Sequence, residues 1–269
     1  MPTATPRALL ATDLDGTLLR GDGSVSDRTR AALRAAADSP LEVVFVTGRP
    51  LTMLSGILRS TEHLGTVIAA NGAVVLDASA NTPHVIRSFT DEQVRTLWAA
   101  LATEFPHGEY LSMMWHDSDG AHRLDGRGPG YLAEIDRRLA AGWRFYKLLV
   151  IGPDDHTPDS IVEATDDVVG HLAEVTHSSH GMPLVELSPK GVTKGAALTD
   201  YATARGVALN DVHAVGDMPN DLPMLAVAGR AYAPSNAHEL VRAAADVVLG
   251  TNDADGVAQL LEELLARHG

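Results

Sequence analysis

The sequence predicts an α/β protein, a parallel sheet flanked by helices with an α+β domain inserted in its middle. Short apolar, β-branched runs alternate with helix-like segments in the first third of the chain, the pattern of strand–helix–strand units. The same alternation resumes after Ser188, and the stretch between has a different texture. Carboxylates, a lysine and glycines also fall where the apolar runs end, at the edge where open α/β sheets bind ligands.

Taken in order, 9–14 reads as a buried strand and Ser26 as the N-cap of a helix through Arg28, Ala31, Ala32 and Ala36. A second strand, 41–46, ends in Thr47-Gly48-Arg49, and Pro50 suits the first turn of a helix near 51–58. A third, 66–70, is closed by the turn dipeptide Asn71-Gly72. The middle holds helices near 91–104, 131–141 and 158–172 and strands at 145–151, 173–176 and 183–187. Its loops are rich in Gly, Pro, Asp and His, as in Asp125-Gly126-Arg127-Gly128-Pro129-Gly130. Beyond it, 193–205 reads as a helix, 212–215 as a strand and 221–227 as a short helix. The segment 244–249 leads into a strand, and 257–267 is a final helix. The expected division is a core of 1–80 and 188–269 and an inserted lid of 81–187.

Composition narrows the function. A chain of 269 residues with 45% hydrophobic residues can bury a sizeable core. A net charge of −14 argues against nucleic acid as a partner, so an anionic substrate would need a local cation. Without cysteine there is no disulfide frame, thiolate zinc site or thiol nucleophile. No basic-then-apolar leader opens the sequence and no apolar run approaches the roughly 20 residues of a membrane span, so a cytoplasmic protein with no membrane partner is expected.

Four segments carry chemistry. Asp13 and Asp15, spaced i, i+2 before Gly16, would point the same way on a strand. Crowded carboxylates repel unless a cation or shared proton intervenes, so the pair suits metal binding, acid–base chemistry or both, or else is an ordinary strand end with an Asp-Gly turn. Thr47-Gly48-Arg49 offers a hydroxyl and backbone N–H groups for an anion. Lys194 sits in the first turn of a helix, where the dipole disfavours a cation. Asp217 and Asp221 at i, i+4 would share one face of a helix starting there, which suits oxygen ligation of Mg²⁺. By contrast, His177-Ser178-Ser179-His180 lacks a third ligand at a recognisable spacing, so no metal role is assigned to it.

Asp-Leu-Asp-Gly-Thr, Val-Thr-Gly-Arg, Lys194 and Gly-Asp-x-x-Asn-Asp together resemble the four motifs of the haloacid dehalogenase superfamily. Asn71-Gly72, Gly191-Val192-Thr193-Lys194-Gly195 and Asp255-Gly256-Val257 resemble its Cof-like (type IIB) phosphatases, as does the position of the insertion. The resemblance implies a Rossmann-like core with a cap domain and a Mg²⁺-dependent phosphatase of small phosphorylated metabolites, sugar phosphates favoured. It makes Asp13 the nucleophile and Asp15 the acid and base. Thr47, Gly48, Lys194 and Asn220 would hold phosphate, and Asp13, Asp15, Asp217 and Asp221 the metal, Asp15 through its carbonyl. Arg49, Asn71, Trp115 and His116 are substrate-contact candidates. A phosphomutase-type transferase and a non-catalytic sensor are the alternatives on the same fold, and the oligomeric state is left open. One departure stands out: Ser235 occupies the place before Asn236-Ala237 where Cof-like chains usually carry Gly.

Overall fold

The computed structural model describes residues 7–268 except 63, 80–81, 154 and 178–180. The first strand, β1 (Ala8–Thr12), is buried at every residue, as expected of a central parallel strand covered on both faces. Ser26 caps α1 (Asp27–Ala37) by accepting from the Thr29 N–H, and β2 (Leu41–Val46), α2 (Ser55–Ser60) and β3 (Thr66–Ala69) follow. The Asn71-Gly72 turn then reverses the chain into β4 (Val74–Asp77), antiparallel to β3, and β5 (Thr82–Ile86) comes next.

The inserted segment opens with α3 (Asp91–Glu104), whose N-terminus is closed by reciprocal bonds between Thr90 and Gln93. Strands β6 (Glu109–His116) and β7 (Gly120–Gly126) form a hairpin. Then come α4 (Gly128–Ala140), β8 (Arg144–Ile151), α5 (Pro158–Val169), β9 (Ala173–Thr176) and β10 (Leu184–Pro189). The last third runs α6 (Lys194–Arg205), β11 (Val212–Val215), α7 (Leu222–Val227), β12 (Arg230–Pro234), α8 (Glu239–Ala244), β13 (Val247–Leu249) and α9 (Gly256–His268).

Two compact units result. Met1–Arg49, Met53–Val85 and Thr193–Gly269 form one, and Pro50–Thr52 with Ile86–Val192 the other. The first holds an eight-stranded sheet in the order β13-β12-β11-β1-β2-β3-β4-β5, parallel from β13 through β3. Its first and last chain segments meet in the middle, where Leu9 pairs with Val212 and Thr12 with Val215. Leu9, Val44, Val46 and Ile68 pack with Leu198, Met224 and Val241 in one apolar cluster. The second unit holds an antiparallel sheet, β7-β6-β8-β10-β9. Trp98, Tyr110, Tyr131, Phe145 and Ile161 fill the core of that unit.

The α/β class with an inserted α+β domain is the one the sequence predicts. The boundaries read from the sequence, 80/81 and 187/188, differ by five residues from the unit limits, because β5 continues the first sheet and β10 runs to Pro189. The glycine-rich stretch read as a loop is no loop. Asp125 and Gly126 end β7, Gly128 opens α4, and Pro129 sits in its first turn. Ser235 is not among the residues with positive φ, so the turn after β12 needs no glycine there.

Candidate active site

The sheet strand ends at Thr12, so Asp13 and Asp15 lie beyond it and the alternation that would aim both the same way no longer applies. Asp13 stays pinned to the sheet by its N–H, which donates to the Val215 carbonyl at 2.9 Å. Its side chain is buried, whereas the Asp15 carboxylate is half exposed. Arg49 engages Asp15 with two parallel bonds, Nε to Oδ2 at 2.7 Å and Nη2 to Oδ1 at 2.5 Å.

Lys194 answers the question its position poses. Thr193 caps α6, accepting from the Ala196 N–H, so Lys194 is the first helical residue. Its Nζ donates to Asp13 Oδ1 at 2.7 Å and Asp221 Oδ1 at 2.6 Å, with all three side chains buried. Two carboxylates therefore outweigh the dipole that disfavours a cation there. Burial works to lower the Lys194 ammonium, but Asp13 and Asp221 prevail and hold it above its ordinary value.

Asp217 and Asp221 do not meet on a helix face, because α7 begins only at Leu222. Met218 is extended and a 3₁₀ turn follows, folding Asp221 back so that its Oδ2 accepts from the N–H groups of Asp217 and Met218 at 2.9 and 3.0 Å. One carboxylate oxygen from each of Asp13, Asp217 and Asp221 lies within 4.8 Å of the others. The Asp15 carboxylate is outside this cluster. Thr17, buried beside it, donates to Asp217 Oδ1 at 2.7 Å. The other oxygen, Asp217 Oδ2, is buried without a hydrogen-bond partner among the described residues, as is Asn220 Oδ1.

The electrostatics match that geometry. Burial raises the Asp13 carboxyl well above the usual range; Lys194 opposes this, and Asp221 and Asp217 add to it. Burial, then Asp221, pushes Asp217 up to about 7, against the Thr17 hydrogen bond. Ionised, three carboxylates and one ammonium sum to −2, the charge a divalent cation neutralises. A hard oxygen donor set with an unpartnered oxygen fits such an ion.

The remaining expected residues divide. Thr47, buried at the end of β2, donates its N–H to Ile68, and its hydroxyl accepts the Arg49 N–H at 3.0 Å. Two of the N–H groups expected to cradle an anion are thus already used. Gly48 lies between them. Asn71, at φ +56, accepts from Asn220 Nδ2 at 3.2 Å, and its own N–H donates to the Thr47 carbonyl. Trp115 and His116 end β6 in the second unit, where Trp115 Nε1 bonds Asp117 and His116 Nδ1 faces Ser118 and Asp119. His177 pairs with Asp159 at 3.0 Å, while residues 178–180 lie outside the described residues.

The sequence profile of the haloacid dehalogenase-like hydrolases matches residues 10–261. The chain belongs to that family. A 5-amino-6-(5-phospho-D-ribitylamino)uracil phosphatase of Bacillus subtilis, YwtE, is 27% identical over 96% of this chain and 98% of its own. A haloacid dehalogenase-like hydrolase structure from B. subtilis superposes with TM-score 0.77 at 25% identity, covering 96% of this chain and 99% of that one. The subclass IIB sugar phosphatase BT4131 shares the fold, with TM-score 0.73 at 20% identity over 96% of this chain and 98% of its own. The chain is a phosphoric monoester hydrolase of this family.

Sequence reasoning passed over two groups in the quoted Asp-Gly-Thr motif. Thr17 orients Asp217, and Gly16 lies against it. Gly16 has φ +80, and a Cβ there would collide with Asp217 Oδ2. Gly16→Ala is expected to cost at least about 10-fold in divalent-metal affinity, with activity falling in step. Calorimetric Mg²⁺ titration of the variant checks this, and an unchanged affinity would show that the wall can yield.

Proposed function

We propose that this hydrolase releases phosphate from small phosphorylated metabolites, sugar phosphates foremost, through a phosphorylated Asp13 and with Mg²⁺ as cofactor. The observation that carries the reading is the Lys194 ammonium spanning Asp13 and Asp221 inside a buried group of three carboxylates. That arrangement holds one carboxylate as nucleophile and provides both cation charge and cation ligands in an otherwise acidic protein.

Asp13, Asp217 and Asp221 would hold the ion, with the Asp15 carbonyl as a further donor. A bound Mg²⁺ supplies positive charge that offsets the phosphoryl oxygens and the attacking carboxylate. In the first step an Asp13 oxygen bonds to phosphorus, the bond from phosphorus to the ester oxygen breaks, and Asp15 gives its proton to the departing alcohol. In the second, water attacks phosphorus, Asp15 takes the water proton, and phosphate leaves Asp13. Thr47, Gly48, Lys194 and Asn220 would hold the phosphoryl oxygens. Asn71 and Arg49, next to Asn220 and Asp15, are assigned to substrate contact. Trp115 and His116 are not, because the Trp115 N–H and His116 Nδ1 are engaged within their own hairpin.

YwtE and the sugar phosphatase both act, by their names, on phosphate carried by a sugar or polyol, which supports that substrate class. Among the described residues no helix is long and apolar enough to cross a membrane, and the acidic charge disfavours nucleic acid. A cytoplasmic site of action fits such substrates. The test is phosphate release from a panel of phosphorylated sugars, nucleotides and cofactors, with Mg²⁺ or with EDTA. Release that needs Mg²⁺ supports the reading; release unaffected by chelation removes the metal from it, and no release from a folded, Mg²⁺-binding protein sinks hydrolysis.

The raised Asp217 carboxyl gives the site a pH signature. Its folded value, about 7, exceeds the ordinary 3.8, so between them the folded metal-free chain holds a proton the unfolded chain has lost. Metal-free stability therefore falls as pH rises through that window. Mg²⁺ must displace the proton, so its affinity rises with pH until Asp217 is ionised. The Mg²⁺-induced gain in melting temperature should be larger at about pH 8 than at about pH 6, as measured by scanning fluorimetry.

A further inference from the structure

We propose that Asn236, seated by Asn252, is a positioning residue that sets the Asp15–Gly16 backbone and thereby the affinity of the Asp13–Asp217–Asp221 cluster for a divalent cation. The inference rests on the metal-site reading above. Asn236 Nδ2 donates to the Gly16 carbonyl at 2.9 Å, and its Oδ1 accepts the Asn252 N–H at 3.0 Å. The buried Asn252 side chain in turn donates to the Leu19 carbonyl at 2.9 Å.

The same C-terminal turn grips the segment after the nucleophile twice more. Arg20 Nη2 bonds both Asp255 oxygens, at 2.9 and 3.0 Å, and Asp253 Oδ1 accepts the Gly21 N–H at 2.9 Å. Thr251 caps that turn, Asp255 leaves it at φ +59, and Gly256 admits no Cβ because the Gly250 carbonyl lies there. This gives Asp255-Gly256, a motif without a catalytic role, the task of shaping the turn that seats Asn236.

Asn236 acts on both flanks of the cluster. Gly16 lies between the Asn236 amide on one side and Asp217 Oδ2 on the other. Two residues on, the His238 N–H donates to the Asp217 carbonyl at 2.8 Å. One short turn thus fixes the backbone of Gly16 and of Asp217, and with it the space between Asp15 and Asp217. Asn236 itself is exposed, so it adds little to the core. An exposed amide that only tied two loops would move melting temperature slightly and cation affinity not at all.

The experiment compares the full-length wild type with Asn236→Ala and with Ser26→Ala, which removes the N-cap of α1, a side chain bonded to Thr29 and to none of the proposed ligands. Calorimetry without substrate gives the Mg²⁺ dissociation constant. Release of p-nitrophenol from its phosphate ester gives the Mg²⁺ concentration for half-maximal rate. Asn236→Ala should weaken both by about 10-fold, as losses in the outer shell of a metal site do, while kcat at saturating Mg²⁺ falls much less. Ser26→Ala should lower melting temperature and leave both Mg²⁺ constants alone. If Asn236→Ala binds Mg²⁺ within twofold of wild type, the positioning role is wrong and the tie is structural. A wild type that binds no Mg²⁺ overturns this inference together with the metal site, whereas one that binds Mg²⁺ but releases no phosphate overturns only the catalytic reading.

Discussion

Asp13→Asn is expected to lose roughly 10⁴-fold or more in turnover, the scale seen when a nucleophile is removed from a set of groups acting together. An amide cannot form the phosphorylated carboxylate, so the remaining electrostatics act on an attack that no longer occurs. The fold should not suffer. Asp13 is one of three buried carboxylates that crowd one another, and the substitution removes one of those charges while leaving an amide oxygen for Lys194. Metal-free melting temperature should therefore hold or rise as activity disappears. Acid-quenched wild type given substrate should carry covalent phosphate that the variant lacks. A variant retaining a tenth of the wild-type rate would remove Asp13 as nucleophile.

Lys194→Ala should damage both stability and rate. Its side chain is 1% exposed, and the partner side chains of Asp13 and Asp221 are 7% and 0% exposed, so solvent screens little. Removing one partner of such a group costs about 3–5 kcal/mol, because the charges left behind have no compensation. Part of that loss is recovered as pH falls, since protonating Asp13 or Asp217 relieves the uncompensated charge. Saturating Mg²⁺ should recover part of it too. The rate should fall by about 10²–10³-fold through lost charge stabilisation in the transition state. Denaturant unfolding at two pH values, with and without Mg²⁺, separates these effects. A stability loss that ignored both pH and Mg²⁺ would mean that Lys194 matters for packing alone.

The core was readable because its signals are local. The apolar run at β1, the Ser26 cap and the four strand-end motifs each depend on a few adjacent residues. Strands β4, β5, β6, β7 and β12 went undetected, and two of them depend on their neighbours. β7 is a polar edge strand that owes its form to pairing with β6, and β12 hides its apolar residues in a short run between Arg230 and Pro234. The site shows the same split. Residue types and spacing named Asp13, Lys194, Asp217 and Asp221, but the way they meet was out of reach. The expected helical face for Asp217 and Asp221 is a folded-back turn, and the expected anion cradle at Thr47 is partly closed by its own hydroxyl. Asn236 reaches Gly16 across 220 positions of sequence, a contact no periodicity reveals.

The pairing of Leu9 with Val212 also sets a timetable for synthesis. A nascent chain exposes β1 early, yet that strand's neighbour on one side leaves the ribosome only after the whole second unit has been made. That unit, whose sheet pairs strands all drawn from its own contiguous stretch, can close first. Until then β1 presents an unsatisfied edge to chaperones and to other chains. Catalytic competence is thus the last property this polypeptide acquires, because Asp13 meets Lys194 and Asp221 only when the final third arrives.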